Sequence, residues 1–297
     1  VLNDMLQERR DFNFPPFSRI VEISIHDTYE DRVQRMASRL AGLLNQHFGT
    51  TGARRTALEA SPVTGPYAPV VDKIADKYID DDYTVVEAEN GCWNVVRKPA
   101  VAMIGEVGYT SLAKAVAAVE DGGTITLVAD EVFTENNYYD NGGWKDGLGY
   151  SGDKSFTIDL NSKTIRQNGA LNDYLIWIKN DGSKANTITL KNGTLDAGTT
   201  AYCAFATASS NKQKMTINFE DINLIGNNSN GAVAKIRGGA ELNVKSGTVI
   251  TGNNNYVGIE AVGNNTVVNI YDKAKIYQKG TSSYVGAIVG ASYNATM

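Results

Sequence analysis

Phe156-Thr157-Ile158-Asp159-Leu160, followed five residues later by Ile165, is the stretch that decides the fold, because its pattern returns four times. The later copies are Ile188-Thr189-Leu190 with Leu195, Ile217-Asn218-Phe219 with Leu224, Leu242-Asn243-Val244 with Val249, and Val268-Asn269-Ile270 with Ile276. Aligned on Ile158, Ile188, Ile217, Leu242 and Val268, the copies are 30, 29, 25 and 26 residues apart. Between them lies a third apolar segment each time: Leu175–Ile178, Ala204–Ala206, Val233–Ile236, Val257–Ile259 and Val285–Ile288. Three short strands in roughly 25–30 residues is the content of one coil of a parallel β-solenoid. Alternation sends Ile158 and Leu160 inward and Thr157 and Asp159 outward. One coil cannot bury its own inward side chains, so coils must stack. An antiparallel sandwich also has many short strands, but its strands rarely keep a fixed long period.

The corners of such coils need left-handed or tightly turned backbone, which Gly and Asn adopt readily. Asn192-Gly193, Gly226-Asn227-Asn228, Gly252-Asn253-Asn254-Asn255 and Gly263-Asn264-Asn265 are the expected corners. The composition agrees, with 29 glycines and 6 prolines in 297 residues. A net charge of −5 gives the chain no basic nucleic-acid footprint as a whole. Cys92 and Cys203 have no partner spacing, so neither zinc nor a disulfide framework is expected, and no cofactor is implied. No run is long enough for a membrane span.

Charge usage divides the chain. Residues 1–79 hold ten basic and ten acidic residues, eight of the basic ones arginine. Residues 80–297 hold 18 and 23, with Arg97, Arg166 and Arg237 the only arginines. In the first part, an amphipathic helix is expected from about Tyr29 to Phe48, after the break at Phe14-Pro15-Pro16-Phe17. Glu8-Arg9-Arg10, Phe14-Pro15-Pro16-Phe17-Ser18-Arg19-Ile20, the helix ending Phe48-Gly49 and Gly65-Pro66-x-x-Pro69-Val70 together resemble the primosomal protein N′ family of replication-restart helicases. The resemblance covers 1–79 and implies a truncated α/β domain that contacts DNA or single-strand-binding protein, with Arg9, Arg10, Arg19, Arg54 and Arg55 as candidate DNA contacts. The family's helicase core is absent, so no ATPase is implied.

From Asp80 a hairpin spacer is expected through residue 100, with strands at Tyr83–Glu87 and Trp93–Val96 around Asn90-Gly91. A short helix follows, N-capped by Thr110, with Leu112, Ala115, Val116 and Val119 inward. The order Ile104-Gly105, Tyr109-x-Ser111-Leu112, Ala115-Val116 and Gly123-x-Ile125-x-Leu127 resembles the opening segment of pectin-lyase-like β-helix domains in bacterial surface proteins. This resemblance covers 101–297. The fold class expected is therefore mainly β, a right-handed parallel β-helix with a helical N-terminal cap, preceded by a small truncated α/β domain.

Many pectin-lyase-like proteins cleave polysaccharides, yet the residues here do not supply the chemistry. The Asn-x-Asp, Asp-Asp and Gly-His-Gly motifs of the polygalacturonase branch are missing from the repeat, and both histidines, His26 and His47, precede it. No catalytic residue and no metal ligand is expected. Asn136-Asn137-Tyr138-Tyr139-Asp140-Asn141-Gly142-Gly143-Trp144-Lys145-Asp146-Gly147 is the chain's richest run of aromatics among polar residues. Aromatic faces beside Asn and Asp can stack on and hydrogen-bond to sugars, so Tyr138, Tyr139, Asp140 and Trp144 are the candidate ligand contacts. The competing reading packs those tyrosines on the solenoid flank.

The function expected is a non-catalytic bacterial cell-surface module for adhesion, carbohydrate binding or scaffolding, its partner a carbohydrate or another surface protein. The alternatives are a DNA-binding fragment and a polysaccharide lyase or hydrolase. The repeat belongs at a surface or outside the cell and residues 1–79 in the cytoplasm, so the seam at Asp76-Lys77-Tyr78-Ile79 predicts a gene fusion or a chimeric assembly. The pattern at Val1 and Met297 predicts a longer protein at both ends.

Overall fold

A computed structural model of the chain describes residues 82–88, 92–279, 287–292 and 294–296, with 35, 36 and 38–40 from the expected N-terminal helix, which are helical. The candidate DNA contacts Arg9, Arg10, Arg19, Arg54 and Arg55 lie outside the described residues, as does most of the expected α/β domain. Two units divide between Lys98 and Pro99. In the first, β1 (Tyr83–Ala88) and β2 (Cys92–Arg97) pair antiparallel, Tyr83 opposite Arg97. This is the expected hairpin.

The second unit opens with a closure device. β3 (Ala102–Ile104) and β4 (Val107–Tyr109) form an antiparallel pair, and α1 (Leu112–Ala118) follows. Leu112, Ala115, Val116 and Val119 are buried as expected. The N-cap, however, is Ser111: its extended backbone places the hydroxyl to accept from the Lys114 N–H at 3.3 Å. Either Thr110 or Ser111 has the chemistry, and only the extended backbone at Ser111 decides.

Six coils follow. The first holds β5 (Gly123–Leu127), β6 (Glu131–Phe133), a small hairpin of β7 (Tyr139–Asp140) and β8 (Lys145–Asp146), then β9 (Leu148–Ser151). The second holds β10 (Phe156–Asp159), β11 (Thr164–Gln167) and β12 (Ile176–Lys179). In the third, β13 (Asn186–Asp196) runs through a corner before β14 (Phe205–Thr207), and the fourth repeats this with β15 (Met215–Gly226) and β16 (Ala232–Arg237). The fifth has β17 (Glu241–Val244), β18 (Val249–Gly252) and β19 (Val257–Val262). The sixth has β20 (Val267–Ile270), β21 (Lys275–Gln278) and β22 (Ala287–Ser292). Every strand from β9 onward pairs parallel with its counterpart one coil away, as a β-solenoid requires. Facing coil 1, β3 pairs antiparallel with β5, so the cap covers an edge that would otherwise stand open.

The repeat is five copies in the sequence and six coils in the structure. The first coil was hidden because the β7–β8 hairpin sits between Phe133 and Leu148 and breaks the period. The register also corrects two alignments, and in the fifth coil the buried residue after the corner is Ile250, not the expected Val249, which pairs with Asn223 and Lys275. Phe156, not Ile158, stands opposite Ile188, so the first interval is two residues longer in β10 than read from Ile158. The surplus sits at the next corner, where Asn161 and Ser162 both take positive φ against the single Asn192 of the following coil. A shift of two preserves side-chain parity, so the predicted core survives it. Ile158, Leu190, Phe219 and Val244 share one buried column, and Ile165, Leu195, Leu224 and Ile250 another.

Two of the expected corner glycines act by space rather than by φ. Gly226 and Gly252 stand opposite each other on inward positions, where a Cβ would strike the amides of Asn255 and Gln278 respectively. Positive φ occurs as expected at Asn192, Gly263 and Asn265, and also at Asp221, Gly247 and Lys273, which with Asn192 mark the same corner of four successive coils.

Candidate functional site

The site is built on the outer face of the sheet β9–β12–β14–β16–β19–β22. Ile176 and Ile178 point into the core, so Trp177 between them faces out. Its column runs Gly149, Trp177, Ala206, Lys235, Glu260 across five coils. The β7–β8 hairpin folds onto this column. Tyr139 lies near-parallel to Trp177, with ring centroids 6.0 Å apart and planes 19° apart. A Cβ at position 149 would fall within the Tyr139 ring, so glycine there is what lets the ring lie down.

Of the four residues expected to touch a ligand, Tyr139 is thus half committed to the flank. Tyr138 and Trp144 remain exposed, Trp144 to 53%. Lys145 Nζ sits 5.0 Å from the centre of the Tyr138 ring and pairs with Glu135. Asp140 is part of the turn: its Oδ1 accepts from the Gly143 N–H at 2.8 Å, and Gly142 and Gly143 both have positive φ. Tyr139 therefore rests one face on the flank while staying as exposed as Tyr138, and Trp144 stands out furthest.

Asp146 anchors the hairpin. It is fully buried. Its Oδ1 accepts from the Tyr174 N–H at 2.9 Å and its Oδ2 from Asn141 Nδ2 at 3.1 Å, joining the hairpin turn to coil 2. Asn172 Oδ1 accepts from the Lys145 N–H at 2.7 Å, and the Gly147 N–H donates to the Tyr174 carbonyl at 2.9 Å. Burial pushes the Asp146 carboxyl up to about 7, with the nearby Asp173 adding to the rise while the hydrogen bonds and Arg237 oppose it. Burial likewise raises Asp173 to about 6 against the pull of Arg237.

Arg237 comes from coil 4 to meet them. Its Nε donates to the Thr207 carbonyl at 3.0 Å, its Nη2 to the Tyr174 hydroxyl at 3.1 Å, and its guanidinium lies 5.4 Å from the Tyr174 ring centre. Beyond it, Lys235 pairs with Glu260 at 2.9 Å, and Glu260 also accepts from the Tyr256 hydroxyl. Cys203, Ala232 and Val257 form a small buried apolar floor on this side. Burial pushes the Cys203 thiol up to about 12, so it stays protonated and inert.

Trp177, Asp173, Tyr174 and Arg237 were not anticipated as site residues. Trp177 carried a signal, since it occupies the outward position of an apolar triplet. Tyr174 and Arg237 are 63 residues apart and meet only through stacking of coils.

A concavity of about 520 Å³ lies at the corner between β10 and β11 and at the matching corners within β13 and β15, lined by Asp159, Asn161, Asn192, Thr194, Asp221 and Asn223 among others. Asp159 there accepts from the Asn161 N–H at 2.9 Å and pairs with Lys191 at 3.4 Å. Among the described residues, no group of three or more His, Cys, Asp or Glu is placed to hold a metal ion, and no helix is long and apolar enough to cross a membrane. No family model, curated protein or solved structure matches this chain.

Proposed function

We propose that the capped solenoid, residues 101–297, is a non-catalytic carbohydrate-binding module of a bacterial surface protein, with the β7–β8 hairpin as its ligand platform. The observation that carries this reading is the aromatic arrangement: Tyr139 stacked on Trp177, with Tyr138 and Trp144 exposed on the same hairpin. Sugar rings present C–H faces that pack on aromatic planes, and their hydroxyls are met by Asn and Asp side chains at the edges. The ring pair is fixed in place by Gly149 and the Asp146 anchor, so little ordering would be required on binding.

The carboxylates favour a holding role over chemistry. A general acid must reach the glycosidic oxygen, and Asp146 is sealed from solvent with both oxygens occupied. Screening the protein on an array of neutral, acidic and amino-sugar oligosaccharides tests the reading, with Trp144→Ala and Tyr138→Ala alongside. Binding that falls about tenfold or more in Trp144→Ala supports it, in line with the ~1–3 kcal/mol a stacked ring contributes by alanine substitution in other stacking sites. Binding untouched by either change removes the hairpin from the site. Release of new reducing or unsaturated ends would establish cleavage instead.

A further inference from the structure

We propose that Asn141, in the turn of the β7–β8 hairpin, is a site of intramolecular deamidation, and that its conversion to a carboxylate unfastens the hairpin from the sheet. The side-chain amide is the substrate and the backbone nitrogen of Gly142 the nucleophile. A bond forms between that nitrogen and Cγ of Asn141, and the bond from Cγ to Nδ2 breaks. The Gly142 proton goes to hydroxide or water, and Nδ2 takes a proton from solvent to leave as ammonia. Water then opens the cyclic imide at either carbonyl, giving aspartate or isoaspartate at position 141.

The step needs a following residue with an N–H free to attack and no side chain in the way, so Asn-Gly is the pair to look for. The chain has five, led by Asn90, Asn141, Asn168, Asn192 and Asn230, and Asn90-Gly91 lies outside the described residues. Local structure separates the other four. The Gly169 N–H is given to Gln167 Oε1 at 2.7 Å, and the Gly231 N–H to the Asn228 carbonyl at 3.1 Å. Gly193 lies inside β13, where a Cβ would strike Leu160 and the Lys163 carbonyl, so its backbone has no room to turn. Gly142 is exposed, its N–H has no partner among the described residues, and nothing lies within 4 Å of where a Cβ would stand. Of the four, it alone joins a free amide to open space.

The consequence follows from what the Asn141 amide holds. Its Nδ2 donates to Asp146 Oδ2 at 3.1 Å, tying the turn to a fully buried carboxylate whose other oxygen accepts from the Tyr174 N–H. After deamidation that donor is gone, and an acceptor that is negatively charged at neutral pH stands in its place. A buried carboxylate would then face a like charge with one of its two hydrogen bonds lost. Isoaspartate would also lengthen the backbone of the turn by a carbon. Strands β7 and β8 have only two residues each, so the hairpin depends on its side-chain anchors to stay down.

Ageing the full chain at mildly alkaline pH, then mapping its peptides by mass spectrometry, tests the site. Asn141 should convert roughly fivefold faster or more than Asn168, Asn192 or Asn230, each of which must first give up a hydrogen bond or tight packing. Equal or slower conversion at Asn141 overturns the proposal. Hydrogen exchange over residues 139–146 at neutral pH tests the unfastening, on Asn141→Asp and on aged protein separated from fresh by ion exchange. Both should lose protection there while β14 and β16 keep theirs. Unchanged protection in the separated aged protein overturns the unfastening, and that result decides even where Asn141→Asp does not fold. Neither measurement uses a glycan, so failure of the array and failure of this inference are distinguishable.

Discussion

The backbone N–H of Leu112 has no partner inside α1 and finds one 19 residues away, in a Glu131 oxygen at 2.6 Å. Glu131 is itself nearly buried, and burial raises its carboxyl above the ordinary range despite that bond. Glu131→Ala should therefore lower stability by about 1–2 kcal/mol in urea denaturation, while Glu131→Gln, which keeps an acceptor, should lose less. Because the folded carboxyl is raised, its contribution is greatest below the ordinary carboxylate range and declines as pH rises through the folded value. Gly149 offers a different single-residue test. Gly149→Ala puts a methyl where the Tyr139 ring rests, so the Tyr139–Trp177 stack should separate, seen as a red shift of Trp fluorescence. Stability should fall by no more than about 1.5 kcal/mol, the range of an aromatic pair, and the glycan binding proposed for the hairpin should drop with it.

Between strands, an amide ladder runs along the outer face of β13, β15, β17 and β20. Asn218 Nδ2 donates to Thr189 Oγ1 at 3.2 Å, Asn243 to Asn218 at 3.0 Å, and Asn269 to Asn243 at 2.9 Å. Asn243 also accepts from the Tyr271 hydroxyl at 3.4 Å, so its loss breaks three bonds, and Asn243→Ala should lower stability by about 1–3 kcal/mol, read by denaturant titration. Beside it, Asp159 with Lys191 and Glu220 with Lys245 pair in the next outward column. These are partly exposed and contribute little each. Strand positions and their inward faces were legible because parity survives stacking: Ile217-Asn218-Phe219 reads the same in one coil or in six. Lateral distance was not legible. The extra Asn161-Ser162 at one corner, the hairpin that hid coil 1 and the meeting of Tyr174 with Arg237 all depend on which residues stack across coils, and no local pattern encodes that. The exposed ring of Trp144 could be guessed from its polar neighbours, whereas the burial of Asp146 beside it could not.

Taken as a whole, the solenoid has one continuous apolar interior from the cap through the sixth coil, and its parallel strands pair only with those of adjoining coils. Phe205 and Phe219 meet edge to face in the middle of it, 5.1 Å apart, so Phe219→Ala should remove about 3–5 kcal/mol from the central coils. The first coil is in a different position. It has a coil on one side and only α1 with the β3–β4 pair on the other, so its protection rests on that cap. Leu112 is wholly buried at the junction, and Leu112→Asp would place an unpaired charge there. In a quasi-one-dimensional stack, losing a cap should open the nearest coil before the rest. Native-state hydrogen exchange on Leu112→Asp should then show β5 and β10 losing protection while β17 and β19 keep nearly all of theirs. Equal loss in all four strands would mean that the continuous core couples the coils into a single cooperative unit. In that case the cap would set the stability of the distant coils as much as that of its neighbour.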